Sequence, residues 1–293
     1  MTVARAPEEL ERVPRAVAIG TFDGVHLGHR RVLEAAIASG ATPTVVTFDP
    51  HPRKTFGQDV ELLSTLERRV ELLEAAGIRD VLVLRFDLEF AQTTAEEFAE
   101  RYLRAIGTEV VAAGSAFRFG NERRGDLDLL RRLGFDVRPV PLVDGVSSSA
   151  IRALVKTGEV DRAARMLGRP PEVDGVVVRG EARGERLGYP TANLELEPDV
   201  LLPAYGIYAG SARGHRAAIS IGVNPHYGGE ELKVEPFLLD YEGDLYGERL
   251  VVELWRRLRD ERAFESEEEL VAQIARDVEE TREAERPVSP RNP

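Results

Sequence analysis

The chain contains no cysteine among its 293 residues. Disulfides, thiolate catalysis and cysteine-based zinc sites are therefore excluded. Lysine is nearly absent: Lys54, Lys156 and Lys233 are the only three. Most positive charge is arginine, which grips phosphates well but cannot form a Schiff base. No apolar run is long enough to span a bilayer. The opening residues, MTVARAPEELERVPR, lack the apolar core of a signal peptide, so the expected location is the cytoplasm. Positive charge itself is in deficit, with 39 Lys and Arg against 51 Asp and Glu, a net charge of −12. Such a surface repels a phosphate backbone, so neither nucleic acid nor an anionic membrane is expected as the main partner.

What is present is ordinary for a soluble globular protein: 43% hydrophobic and 31% charged residues, ample for two cores. At roughly 100–200 residues per domain, the length predicts two domains. Composition leaves the oligomeric state open, a homo-oligomer included.

The first half alternates strand and helix signals. The apolar run 16–19 is followed by a glycine-rich turn and a helix-like stretch over 30–39 that stops at Gly40. Strands are expected at 43–48, 81–86, 110–113 and 137–140. Between them, Ser64 with Glu67 and Thr94 with Glu97 have capping-box spacing, and a further helix fits 126–133. A βαβ series of this kind predicts a parallel sheet covered by helices on both faces. The pattern changes after Gly168. RPPEVDG at 169–175 reads as a linker, and short β-rich runs follow at 176–178, 206–212, 217–221, 234–239 and 250–255. That spacing predicts a small antiparallel barrel. A last helix is expected from Ser266 to about Thr281, and the tail EAERPVSPRNP is expected to be disordered.

Residues 20–29 read GTFDGVHLGH, directly after the first apolar strand. Ligands of open parallel sheets bind at such turns, beyond the C-terminal strand ends. Gly20, Gly24 and Gly28 allow close backbone approach, and the following helix N-terminus favours an anion. His26 and His29, spaced i, i+3, can reach one phosphate, where positioned donors stabilise the charge that develops at phosphorus. The plainer alternative is a structural glycine turn with two satisfied histidines. Ser147, Ser148 and Ser149 precede a helix and Arg152 lies on its first turn. This set suits ATP phosphates, or is an ordinary serine N-cap. Residues 180–194, GEARGERLGYPTANL, carry Gly180, Gly184 and Gly188 at intervals of four. They lead into an extended run, which distinguishes the segment from a Walker A loop.

The string GTFDGVHLGH, with Phe22 and Asp23 beside the HxGH histidines, resembles the bacterial bifunctional riboflavin kinase/FAD synthetases, and HxGH itself is the signature of the nucleotidyltransferase superfamily. Further segments are similar: FDPHP (48–52), FRFG-NERRG (117–125), VSSSAIR (146–152), the junction LGRPPEVDGVVVRG (167–180) and a G-x-P-T-A-N motif at 188–193. The resemblance implies an N-terminal doubly wound α/β FMN adenylyltransferase domain over 1–168. It implies a small antiparallel β-barrel riboflavin kinase domain with a C-terminal helix over 169–293. The reactions it implies are riboflavin + ATP to FMN + ADP, then FMN + ATP to FAD and pyrophosphate, both with Mg²⁺. It assigns Gly20, Phe22, Asp23, Gly24, Gly28, Ser147 to Ser149, Arg152, Gly180, Gly184 and Gly188 to nucleotide phosphates. Phe48, His51, Phe117 and Phe119 fall to the flavin, and Thr191 and Asn193 to the metal, whose hardness suits a hydroxyl and an amide oxygen. Glu235, in a β run beside Val234, Phe237 and Leu238, is the expected general base toward the ribityl hydroxyl. Pro236 lacks a ladder donor and predicts an edge or a bulge there. One departure stands out: where the family carries an acid or amide before F-x-F-G, this chain has Ala116. Two alternatives accompany this reading: a riboflavin kinase with a weakened or inactive adenylyltransferase domain, and a non-catalytic flavin-nucleotide sensor.

Overall fold

The computed structural model describes residues 1–180, 183–226 and 229–287, without the side chains of 183, 185, 224–226 and 229–231. Glu181 and Ala182 of the glycine-spaced segment, and the tail from 288 on, lie outside the described residues. The chain packs as two compact units. One comprises Met1–Val60 with Leu66–Val146, the other Glu61–Thr65 with the chain from Ser147 on.

The first unit is built on six strands: β1 (Thr2–Ala4), β2 (Arg15–Ile19), β3 (Thr42–Asp49), β4 (Asp80–Arg85), β5 (Thr108–Gly114) and β6 (Asp136–Val140). All pair in parallel in the order β1-β4-β3-β2-β5-β6. Central β2 is buried along its whole length, as expected of a strand covered on both faces. The chain winds outward from β2 through β3 to β4, then crosses to β5 and β6. The switch in winding direction thus falls beside the end of β2. Helices α1 (Leu27–Ile37), α2 (Pro52–Thr55), α3 (Leu66–Ala75), α4 (Ala95–Phe98, continued by a wider turn over Ala99–Arg104) and α5 (Leu127–Arg132) cover the sheet. Two apolar clusters fill the two faces, one around Leu82, Phe98 and Leu103, the other around Phe22, Leu33 and Leu73. Thr94 and Glu97 form the expected capping box. The short edge strand β1 carried too little pattern to be foreseen.

The second unit begins with α6 (Ser148–Lys156) and α7 (Val160–Leu167), which by packing go with the barrel rather than with the sheet. The barrel strands are β7 (Glu172–Val178), β8 (Asn193–Leu196), β9 (Gly206–Ala212), β10 (His215–His226), β11 (Gly229–Leu238) and β12 (Arg249–Arg259), with one helical turn, α8 (Arg183–Arg186), before β8. They pair antiparallel in the order β11-β10-β9-β12-β7-β8. Tyr208, Ile219, Val234 and Val252 are fully buried in the core. Helix α9 (Glu267–Glu283) opens on Ser266, whose hydroxyl accepts from Glu269 N at 3.1 Å. The expectation of a disordered tail fails at its start. Ala284 is buried, and Arg286 makes a two-pronged pair with Glu253 at 2.7 and 2.8 Å.

Candidate active sites

In the first unit, the turn after β2 is tightly wound. Phe22, Gly24 and Val25 all take positive φ, at 49°, 77° and 39°. Such conformations are unfavourable for a β-branched or aromatic residue, and strain of this kind gathers where function fixes a backbone. Phe22 and Val25 are buried, which holds them there, and Asp23 is wholly buried. His26 is the N-cap of α1: its Nδ1 accepts from His29 N at 3.2 Å. That bond leaves the neutral ring's proton on Nε2. The rings of His26 and His29 stack with centroids 3.6 Å apart, and Phe22 meets His29 edge-on. A Cβ on Gly28 would come within 3.1 Å of the His26 ring, so glycine lets the imidazole lie over the helix start. Burial holds the His29 imidazole well below the usual histidine range, and His26 and the Arg69 guanidinium add to the effect. His29 Nδ1 is inaccessible and has no hydrogen-bond partner.

The flanking loops carry the aromatic residues. Phe48, next to last on β3, meets Phe86, Phe90 and Phe98. Phe117 and Phe119 follow β5, stack on each other at 5.6 Å, and join the same cluster through Phe98. Phe119 is a core residue, whereas Phe48 and Phe117 are only partly buried. His51 caps α2, its Nδ1 accepting from Arg53 N. In the second unit, Ser147 caps α6 by accepting from Ala150 N at 3.1 Å, and Arg152 Nε donates to Glu61 O at 2.7 Å. Both carry structural duties alongside any ligand.

The barrel carries a cleft of about 940 Å³ on the outer face of β10 and β11, beneath α9. Its walls include Gly184, Thr191, Ser220, Glu235, Glu261 and Phe264. Strand alternation explains Glu235: Val234 and Leu238 enter the barrel core, so Glu235 and Phe237 turn to the cleft. Glu235 faces Ser220 across the ladder. Strand β8 begins at Asn193, so Thr191 lies in the extended approach to it rather than on the strand itself. A Cβ on Gly180 would fall 2.2 Å from the Asn193 amide, and one on Gly184 3.3 Å from Thr191 Oγ1. The glycines of the segment thus let its backbone lie against both side chains. The Ala192 N–H between them donates to Pro236 O at 2.9 Å. β11 ends the hydrogen-bonded ladder, so Pro236 does lie on an edge strand, and this bond joins it to the approach to β8.

Comparison with known proteins gives both halves a family. The model described as FAD synthetase matches residues 9–151, and that described as riboflavin kinase matches 167–285. The bifunctional riboflavin kinase/FMN adenylyltransferase of Listeria monocytogenes is 33% identical over 94% of each chain. The chain belongs to the bifunctional riboflavin kinase/FMN adenylyltransferase family. The Escherichia coli K12 member is 34% identical, over 94% of this chain and 96% of its own. A crystal structure from Streptococcus pneumoniae, described as a macrolide-efflux protein, superposes with a TM-score of 0.87 at 31% identity, covering 97% of this chain and 99% of that one. Among the described residues, no helix is long and apolar enough to cross a membrane.

Within this family's two-part layout, sequence reasoning missed two groups. Arg259, at the end of β12, and Glu261, Arg262 and Phe264, just after it, line the barrel cleft. Nothing in the spacing of their segment, LRDERAF at 258–264, indicates that it folds back over β10. Burial, with Glu235 adding and Arg259 opposing, pushes the Glu261 carboxyl above the usual range. The other omission is Arg69 on α3. Its signal was present in the sequence: Arg69 shares the helix face of Leu66 and Leu73, an unusual position for a charge.

Proposed function

We propose that this chain makes FMN and then FAD, phosphorylating riboflavin in the barrel cleft and adenylylating FMN at the turn after β2. Family membership supports the pair of reactions, and the geometry supports the assignment of residues. The observation that carries it is the arrangement of the cleft, in which one backbone bond joins the segment of Thr191 and Asn193 to the strand of Glu235.

In the kinase step, Glu235 accepts the proton of the ribityl 5′-hydroxyl as that oxygen attacks the γ-phosphorus and ADP departs. The Gly180–Gly188 segment receives the phosphates. ATP chemistry of both kinds uses a divalent cation, and the oxygen donors of Thr191 and Asn193 fit Mg²⁺. When bound, it would neutralise phosphate charge. In the transferase step, an FMN phosphate oxygen attacks the α-phosphorus of ATP and pyrophosphate leaves. His26 and His29 donate hydrogen bonds to the phosphoryl oxygens, with Gly20, Gly24 and Gly28 giving close backbone approach. Phe48, Phe117 and His51 are the flavin-side residues of this reading, with Phe119 supporting Phe117 from the core. Ser147, Ser148, Ser149 and Arg152 keep their reading as nucleotide-phosphate ligands. The division of labour follows the sequence, 1–168 for adenylyl transfer and 169–293 for phosphorylation, and a cytoplasmic setting belongs to the same proposal.

Incubation with riboflavin, ATP and Mg²⁺, followed by chromatography, tests the reading. FAD as product supports it. FMN alone leaves only the kinase half standing, and unchanged riboflavin refutes both.

A further inference from the structure

Arg69 is 1% exposed, on the apolar face of α3. Its Nη1 donates to Phe48 O at 3.3 Å, while Nε has no hydrogen-bond partner. Burying a guanidinium costs several kcal/mol unless its charge and donors are matched, and an unmatched buried donor calls for an explanation. Burial draws the Arg69 pKa below the usual guanidinium value, and two carboxylates oppose that shift. Asp23, in the turn after β2, and Asp49, at the end of β3, both stabilise its charge against burial. His29 senses that charge from α1. Two unmatched buried nitrogens, Arg69 Nε and His29 Nδ1, therefore belong to one electrostatic cluster. Its charged and titratable members are His26, His29, Asp23, Asp49 and Arg69.

We propose that Arg69 is a positioning residue for adenylyl transfer, its buried guanidinium drawing together the loops after β2 and β3 and setting fixed positive charge beside His29. This rests on reading the turn as the adenylyl-transfer site. Arg69 is too enclosed to touch substrate, so it acts through its neighbours. A fixed positive charge beside His29 favours the neutral imidazole, which offers a hydrogen bond without surrendering a proton. Because it is built into the fold, the charge needs no reorganisation when the phosphates arrive.

The sign of the effect follows. A positive neighbour disfavours imidazolium, so removing it raises the His29 pKa, and transferase activity is then lost at a higher pH as pH falls. The test compares Arg69→Met and Arg69→Lys in the full chain, by steady-state transferase kinetics against pH and by NMR titration of the His29 ring. With only five histidines in the chain, assignment by substitution is direct. Arg69→Met is expected to lower kcat by up to about 10²-fold, the scale of a small misplacement at a reacting centre, with a smaller change in KM. Its acid limb and the His29 titration should both move up. Arg69→Lys keeps the charge but not the fork, so kcat should fall less and the acid limb stay in place. Wild-type kcat in Arg69→Met, or a fall in kcat with the His29 titration unmoved, would overturn the proposal. Should Arg69→Met fail to fold by circular dichroism, Arg69→Lys decides, and an unchanged kcat there overturns it. Full transferase activity in His29→Ala would instead defeat the site reading beneath it.

Discussion

Replacing Glu235 by glutamine tests the kinase assignment with the least disturbance. The side chain keeps its volume and its place on β11, half-buried and turned to the cleft because Val234 and Leu238 occupy the core. The proton-accepting carboxylate is lost, and its negative charge with it. A positioned general base contributes roughly 10²–10⁴ in rate, or about 2.7–5.5 kcal/mol of barrier. The cleft narrows that range. Glu261 lies in the same cavity, its carboxyl seated over the backbone of Gly222, where an added Cβ would meet it at 2.1 Å. Glu235 helps to push the Glu261 carboxyl up. Removing the Glu235 charge therefore lets Glu261 ionise at lower pH and serve as a poorer substitute acceptor. The expected loss in Glu235→Gln is thus near the low end, about 10²-fold, and Glu235→Gln with Glu261→Gln should lose more. The assay follows riboflavin to FMN by fluorescence-detected chromatography and, in parallel, supplied FMN to FAD, which should persist. A normal kinase rate in Glu235→Gln would refute the base assignment. Equal loss of both activities would refute the separation of the two sites.

The other expectations can be stated more briefly. His29→Ala should lower FAD formation from FMN by about 10²–10³-fold, the usual cost of one preorganised donor, while riboflavin phosphorylation continues; loss of both would contradict two independent sites. Arg15→Met should destabilise the first unit by about 3–5 kcal/mol, because it leaves a buried carboxylate without its partner. Arg15 is fully buried and bonds Asp80, Thr44 Oγ1, Ile106 O and Glu11 O, so an unchanged urea midpoint would refute that accounting. Ala116→Asn should lower the transferase KM for FMN by roughly 2–13-fold, the worth of one neutral hydrogen bond, with the kinase KM for riboflavin unchanged; Ala116 is exposed in the turn that ends β5, and an unmoved or raised KM would mean that it does not meet the flavin.

Much of the fold was legible because local signals and tertiary packing agree. The strands at 43–48 and 81–86 appear as Thr42–Asp49 and Asp80–Arg85, since runs of β-branched residues suit a sheet covered on both faces. Cap residues marked the helix starts at Thr94 and Ser266. What escaped was short or set by distant partners. Strand β1 has three residues and owes its form to pairing with β4. Helix α7 was not foreseen, although Val160, Ala163, Ala164 and Leu167 are all buried along it and Gly168 closes it in the left-handed conformation; it is short and runs directly into the proline-bearing stretch at 169–175. Segment 61–65 joins the second unit through Leu62, paired with Val200, and Thr65, bonded to Asp174. No local pattern encodes contacts across such a span of sequence. At the sites, residue types and spacing located the histidines, the glycines and Glu235. The serine N-cap reading of Ser147 holds, but residue types could not indicate that His26 is also a helix cap, nor that the chain after β12 supplies a second carboxylate to the cleft.

Pro236 shows how an unfavourable residue can serve a site. Within a ladder, proline forfeits a donor, and so it is confined to edges and bulges. Here it opposes Ile219 on β10, at the end of the sheet order. Its carbonyl remains, and accepts from the N–H of Ala192. Ala192 stands between Thr191 and Asn193, and Pro236 follows Glu235, so a single 2.9 Å bond joins the oxygen donors to the strand of the base. An ordinary residue at 236 would bring an additional N–H and a backbone able to slip in register. Proline, with φ fixed and no donor to misplace, holds the edge to the one pairing that keeps both sets of groups together. The departure from strand propensity thus falls where the chemistry needs a fixed distance, which is where local rules are expected to yield to function.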